Sequence, residues 1–342
     1  MKACIFNGPG NLTVENVPDP KVNSGEVLIK TAAASLCYSD IRVYKGEKSA
    51  TIGVVQGHEI AGTVIDIGNA VHNVNIGERV AICPIIACGG CYFCIRGLRN
   101  RCLNRSTLGY QVNGGLAEYV LVPGQIVDLG HVLKLPEGLT FDVAAMTEPY
   151  ACALYSLEAC KVVPGGSLVI IGAGPMGLTH LMLAKAMGVS TIVISDLVDS
   201  RLKFAKEMGA DIVINSKTGD LLDAVKSVTK GIGADAVIVT VGNVNAIEEG
   251  FKLARPQGYV NIFGGSPPGS IVKLDPNLIH YSELFIMGTQ NANPEHYTRA
   301  LEFLSVLPNA SKMFTHRFSI DNAPKAFQAR LDMDGLKAVI DF

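Results

Sequence analysis

Short runs of β-branched and apolar residues, broken by Gly, Pro and Asn, fill the first 135 or so positions: "EVLIKTAAA", "IAGTVIDIG", "ERVAICP" and "LAEYVLVP". Runs this short and β-branched predict strands. Around residue 141 the period changes. "FDVAAMTEPYACALYSLEACKV" has helical spacing, "SLVIIGAG" reads as a buried strand, and "MGLTHLMLAKAMG" as the helix that follows it. Strand-like "TIVISD", "DIVINS", "ADAVIVTVG", "YVNIFGG" and "LFIMGTQ" then alternate with helical stretches. That alternation predicts a parallel sheet covered by helices on both faces. After about residue 290 come a helix ("PEHYTRALEFLSV"), the strand-like "HRFSI", a second helical stretch and a closing strand, "KAVIDF". The tail is too short for a core of its own and is expected to pack on the first domain. The expected division is 1–150, 151–290 and 291–342.

A chain of 342 residues exceeds one ordinary core and agrees with two domains. The balance of 48% apolar and 18% charged residues is that of a globular chain able to fill them. A formal charge of −2 gives no global field for nucleic acid or an anionic membrane. The opening "MKACIFNGPG" has too short an apolar run for a signal peptide. "SLVIIGAGPMGLTHLMLAKAMG" is too interrupted by glycines, Pro175, His180 and Lys185 for a membrane span. Nine cysteines, an odd count with no secretory signal, point to a reducing compartment, and the expectation is a cytoplasmic protein.

Four of those cysteines crowd into "CGGCYFCIRGLRNRC": Cys88, Cys91, Cys94 and Cys102. Four thiolates at this spacing can surround one Zn2+ tetrahedrally and leave no open position, so the lobe reads as structural. An iron–sulfur cluster fits less well, because the ferredoxin run has a shorter last gap followed by proline. Burial as small hydrophobes suits the polar "GGCYFC" poorly. Arg96, Arg99, Arg101 and Arg105 hint at a nucleic-acid ribbon, but no basic stripe continues elsewhere.

Zinc chemistry needs a second site with a free position. The candidates are Cys37 in "LCYSDIR", His58 and Glu59 in "QGHEIAG", and Glu148 in "MTEPYA". Pro149 disfavours a helical conformation at Glu148, so a chain break is expected there, with the glutamate turned into a cleft or left strained at the surface. His58 and Glu59 are adjacent and would face opposite ways on a regular strand. Both reach one metal only through irregular backbone, which makes Glu59 an intermittent or outer ligand. Asp40 is placed to accept from the far nitrogen of His58.

"GAGPMG" is a G-x-G-x-x-G, Gly172-Ala173-Gly174-Pro175-Met176-Gly177, between a predicted strand and helix. Asp196 ends the next strand. In that context the glycines admit a dinucleotide pyrophosphate at the helix N-terminus, and Asp196 accepts from ribose hydroxyls while repelling a 2′-phosphate. The competing role for Asp196 is a cap on "LVDSRLKFAKEMG".

In this order "GHEIAGTVIDIG", the four-cysteine lobe, "GGLAEYV", "TEPYACAL" and "VIIGAGPMG" resemble the zinc-dependent medium-chain alcohol dehydrogenases. Glutamate rather than cysteine at residue 148 resembles the polyol branch, with its sorbitol, threonine and galactitol-phosphate dehydrogenases. The resemblance implies an α/β protein: a GroES-like, β-rich catalytic domain around a Rossmann domain with a doubly wound parallel sheet. It implies a catalytic Zn2+ on Cys37, His58 and a glutamate (Glu59 or Glu148), a second, structural Zn2+, and Ser39 as the proton-relay hydroxyl. Met176 and Arg201 would flank the adenosine; Phe263, Gly264, Gly265, Thr289 and Gln290 would line the nicotinamide side. The implied activity is hydride transfer between NAD and a secondary alcohol of a polyol or sugar, with a sugar alcohol phosphate or threonine as alternative substrates. A homo-oligomer is implied, a tetramer or a dimer. A zinc-ribbon nucleic-acid binder, or a nucleotide-binding redox sensor without catalysis, would leave Cys37, His58 and "TEPYA" unexplained. Three positions depart from the pattern: Arg42 where a relay histidine is common, and Val43 and Asn291 where sorbitol dehydrogenases carry an aromatic residue and an arginine. Tyr44 is a candidate replacement for the aromatic. Arg42 reads as a surface ion pair, which favours an uncharged polyol over the alternative of a phosphate held by Arg42 and Lys45.

Overall fold

The strand Val27–Ser35 is the hub of a seven-stranded sheet in the computed structural model, which describes residues 1–342. Glu59–Ile67 pairs antiparallel along its length. Its other edge is shared, Tyr119–Val122 pairing with Val27–Lys30 and Lys337–Asp341 with Ala33–Ser35. The order runs Phe314–Ser319, Lys337–Asp341, Val27–Ser35, Glu59–Ile67, Arg79–Ile82, Val132–Lys134. Val27 and Ile29 pack with Ile60, Val64, Val80, Ile82, Val120 and Val122 in one core. Each such side chain, fully buried, is worth roughly 1.5–3 kcal/mol. The C-terminal segment is part of this unit, which comprises Met1–Ala151 and Ala292–Phe342. Its helix Ala323–Leu331 places Phe327 in a second core with Leu36, Ile41 and Ile340.

Residues Cys152–Asn291 form the other unit. Its six strands are parallel, in the order Ile212–Asn215, Thr191–Asp196, Ser167–Ile171, Ala234–Val239, Ala254–Ile262, Phe285–Gly288. In chain order this is 3-2-1-4-5-6, the doubly wound arrangement that takes dinucleotides where the order reverses. Buried Val, Ile and Leu run almost continuously along the central strands, as expected of strands covered on both faces.

The break expected at Glu148–Pro149 falls elsewhere. The helix Phe141–Ala145 ends at Met146, and a new helix, Thr147–Ala159, carries Glu148 and Pro149 in its first turn. Proline is tolerated there because first-turn N–H groups have no intrahelical acceptor to lose. No helix is long and apolar enough to cross a membrane.

Candidate active site and metal centres

Cys37 leaves the hub strand as the N-cap of the helix Tyr38–Tyr44. The Asp40 carboxylate accepts from the Cys37 N–H at 3.0 Å, fixing the turn that aims the thiol. His58 arrives by a different device. Gly57 has φ +92° and a Cβ there would meet Leu116 Cγ at 2.7 Å, so only glycine allows the bend before the strand that starts at Glu59. Because His58 precedes that strand, the alternation that would set it against Glu59 does not apply. The ligand atoms of Cys37, His58 and Glu59 all lie within 4.8 Å of one another.

Asp40 Oδ1 is 2.9 Å from His58 Nδ1, which leaves Nε2 facing the cluster. Burial pushes the His58 pKa down, and the Asp40 carboxylate, with Cys37, more than reverses this. Ser39 Oγ donates to Cys37 Sγ at 3.1 Å and lies 3.4 Å from His58 Nε2 and 2.6 Å from the Tyr110 hydroxyl. Since Ser39 spends its proton on sulfur, Tyr110 is the donor in the last contact. Burial, with the negative charges of Asp40 and Cys37, holds the Tyr110 pKa well above its ordinary value, so the phenol stays neutral. The ring of Tyr110 lies 5.0 Å from that of His58, and the Lys48 ammonium sits 3.8 Å above its centroid.

Glu59 is fully buried, and one carboxylate oxygen, Oε2, accepts from Lys337 Nζ at 2.6 Å and from the Ser35 hydroxyl. The other oxygen, Oε1, is buried without a partner. Burial raises the Glu59 pKa against the opposing charge of Lys337. Glu148 lies outside the three-residue cluster, yet its charge reaches Glu59, Tyr110 and Lys48. Arg42 Nε pairs with Glu47 Oε2 at 3.4 Å, the arginine side chain partly exposed at 33% and the glutamate exposed at 49%. Tyr44 packs on Phe327 at a ring separation of 6.0 Å, in the second core.

Cys88, Cys91, Cys94 and Cys102 also gather with their sulfur atoms within 4.8 Å, and all four thiols are free. Backbone N–H groups of Leu103 and Cys94 hold the Cys91 pKa down to about 6, whereas burial pushes Cys94 up to about 12. Four sulfurs this close, with N–H groups turned toward them, need a cation to ionise together.

In the parallel-sheet unit the predicted nucleotide residues lie at the carboxyl ends of strands, the edge where such sheets bind ligands. Gly172 to Gly177 follow Ser167–Ile171, Asp196 ends Thr191–Asp196, Phe263 to Gly265 follow Ala254–Ile262, and Thr289 and Gln290 follow Phe285–Gly288. A Cβ on Gly177 would strike the Gly172 carbonyl, so the helix Pro175–Ala186 sits hard against the turn. Gly174, its N-cap, faces open space that a phosphate can enter. Asp196 is not a helix cap: the helix Asp199–Glu207, which carries Arg201, begins at Val198 without a side-chain bond. Asp196 Oδ2 instead accepts from the Ala173 N–H at 2.7 Å, and Oδ1 from Leu197 and Val198 at 2.7 and 3.0 Å. The carboxylate is thereby aimed at the glycine turn. Phe263 meets His180 edge-on at 4.7 Å, His180 bonds the Met176 carbonyl, and Thr289 Oγ1 accepts from Asn261.

Residues 23–136 match the family described as "Alcohol dehydrogenase GroES-like domain", and residues 175–306 match "Zinc-binding dehydrogenase". Sorbitol dehydrogenase of Bacillus subtilis (strain 168) is 31% identical over 97% of this chain and 94% of its own length. This chain belongs to the zinc-binding alcohol dehydrogenase family. D-arabitol-phosphate dehydrogenase of Enterococcus avium is 32% identical over 100% of this chain and 97% of its own. Among solved structures, a zinc-binding dehydrogenase of Sinorhizobium meliloti 1021 bound to NADP superposes with a TM-score of 0.93 at 30% identity, covering 100% of this chain and 99% of that one. The family is one of zinc- and nicotinamide-dependent oxidoreductases, and the residues present fit both groups. Each sulfur-bearing cluster offers a donor set suited to Zn2+, and the unpartnered Oε1 of Glu59 is a buried acceptor beside one of them. Sequence reasoning about this dehydrogenase missed Tyr110, Lys48, Lys337 and Ser35. "GYQ" and "LKA" carry no motif, and each of these residues meets the site only through the fold.

Proposed function

We propose that this dehydrogenase oxidises a secondary alcohol of a polyhydroxy substrate with NAD, using one zinc at Cys37 and His58 and a second in the four-cysteine lobe. The observation that carries the reading is the convergence of Cys37, His58 and Glu59 with the Ser39 hydroxyl on the thiol. Zinc bound there supplies a Lewis acid that lowers the pKa of an alcohol, and the nicotinamide supplies the hydride acceptor. Asp40 fixes the tautomer of His58, so that Nε2 is the ligating nitrogen. Ser39 is placed to receive the substrate hydroxyl proton while passing its own hydroxyl proton outward toward solvent, with the Tyr110 hydroxyl 2.6 Å away fixing its position. Glu59 is anchored by Lys337 through one oxygen and keeps the other available. Glu148, outside the cluster, serves as an electrostatic neighbour or enters the ligand set when metal is bound. The test is initial rates on polyols, sugar alcohol phosphates and threonine with NAD and with NADP. Turnover of none of them with either cofactor overturns the reading.

NAD is favoured on account of Asp196, although the Sinorhizobium meliloti relative carries NADP. Hydrogen bonds to a charged acceptor contribute roughly 1.5–3 kcal/mol each. Preference for NAD over NADP is therefore expected to be at least about tenfold in kcat/KM. Asp196→Ala should raise KM for NAD and narrow that gap; a wild-type preference for NADP refutes the assignment.

The cysteine lobe makes a separate prediction. Cys94→Ser should lose one zinc per chain and lower thermal stability by clearly more than the roughly 1 kcal/mol of an ordinary substitution, since metal loss is among the few causes of large effects. Metal analysis is the check: undiminished zinc with an unchanged melting temperature rules the lobe out as a zinc site.

A further inference from the structure

Lys48 is half-buried beside the candidate active site, and its ammonium makes neither a hydrogen bond nor an ion pair; its contact is the face of Tyr110 at 3.8 Å. Two nearby carboxylates are committed elsewhere, and Glu148 reaches it through charge without a contact. Glu47, its chain neighbour, is taken by Arg42. Asp40 holds His58 Nδ1 and the Cys37 N–H. Half-burial without a contacting counterion disfavours a charge, and burial pulls the Lys48 pKa down against the more distant charges of Cys37, Asp40 and Glu148. A second cation, Arg105, is felt at Lys48 more weakly than those negative groups and gives one of its N–H groups to the Asn100 carbonyl. Three contacts join this unpaired charge to the thiol of Cys37: ammonium on Tyr110 ring, Tyr110 hydroxyl on Ser39, Ser39 hydroxyl on sulfur.

We infer that Lys48 is the residue that reads an anionic group, phosphate or carboxylate, on the substrate of the Cys37–His58 site, with Tyr110 holding it in place. The inference rests on the dehydrogenase reading and deepens it. It moves anion recognition from Arg42, which the structure pairs with Glu47, to Lys48. A lysine serves as a point charge for either anion, and a desolvated one pre-oriented on an aromatic face forgoes less freedom on binding. The neutral Tyr110 hydroxyl, engaged with Ser39, ties the position of the ammonium to that of the hydroxyl serving the reacting alcohol. Substrate charge and alcohol geometry are thereby set by one aromatic ring.

The experiment uses the zinc-loaded enzyme with five- and six-carbon alditols, their terminal phosphates, the matching aldonates, and threonine. The wild type should use one anionic class at least tenfold better, in kcat/KM, than its neutral parent. Which class wins distinguishes phosphate from carboxylate. Lys48→Met should reduce that ratio by tenfold or more, chiefly through KM, and Lys48→Arg should restore part of it. An equal preference for neutral and charged members, or a ratio unchanged in Lys48→Met, overturns the inference. A second measurement needs no turnover: titration of the same enzyme with inorganic phosphate and with acetate, read by calorimetry. Binding of either anion by wild type, weakened tenfold in Lys48→Met, supports the inference even if no alcohol tested is oxidised, an outcome that would count against the dehydrogenase reading alone. Absence of anion binding in both proteins counts against Lys48.

Discussion

Cys37→Ala and His58→Ala should each abolish alcohol oxidation while NAD still binds. The thiol and the imidazole belong to the unit Met1–Ala151 and Ala292–Phe342, the glycine turn and Asp196 to Cys152–Asn291. Loss of a ligand therefore leaves the nucleotide residues as they are. Removing an outer partner of a metal ligand already costs about 10–100-fold in metal affinity or activity. That is the range expected for Asp40→Ala, whose carboxylate holds His58 Nδ1 at 2.9 Å. Direct loss of the thiol should exceed it. Three readouts separate the cases: initial rates, zinc per chain, and quenching of NADH fluorescence on binding. Near-normal rates in Cys37→Ala would remove the basis of the proposed chemistry.

Much of this arrangement is written locally. A strand such as "SLVIIGAG" declares itself because its residues are buried on both faces whatever surrounds it, and the glycine turn must follow directly to reach a phosphate. The four cysteines lie within fifteen positions, so their meeting needs only a short curl of chain. Cys37, Asp40 and His58 were legible for a similar reason, each carrying its chemistry in its side chain. The irregular backbone required at His58 was legible too, and it occurs at Gly57. What the local pattern could not disclose is partnership across the fold. Tyr110 meets Ser39 across 71 positions, and Lys337 meets Glu59 across 278. Neither pair has a spacing to betray it. Arg42 shows the converse: a cation near the site in sequence is turned to Glu47, while Lys48, six residues on, lies over the ring that contacts Ser39. Pro149 misled because its local preference was weighed without its place in the helix, where the first turn accepts it.

The second large effect is expected at the far end of the chain. Lys337→Met should destabilise the protein by about 3–5 kcal/mol, the range for stripping one partner from a buried ion pair. Lys337 is 4% exposed and Glu59 is 0% exposed, so no water replaces the 2.6 Å contact. Ser35 remains as a partner, but a hydroxyl does not neutralise a carboxylate. The strand Lys337–Asp341 also pairs with Ala33–Ser35, so the damage falls where the C-terminal segment joins the hub strand. Methionine keeps the volume and apolar stem of lysine, so the effect reports charge rather than a cavity. Urea unfolding of the zinc-loaded enzyme, followed by circular dichroism, is the measurement. Adding Glu59→Gln to Lys337→Met should recover at least about 1 kcal/mol, the coupling expected of residues in direct contact. A shift below about 0.5 kcal/mol, the level of an ordinary surface substitution, would mean that Glu59 does not rely on Lys337 for its charge. In that event the carboxylate would be held neutral or by metal alone, and the anchored-glutamate part of the proposed site would fall with it.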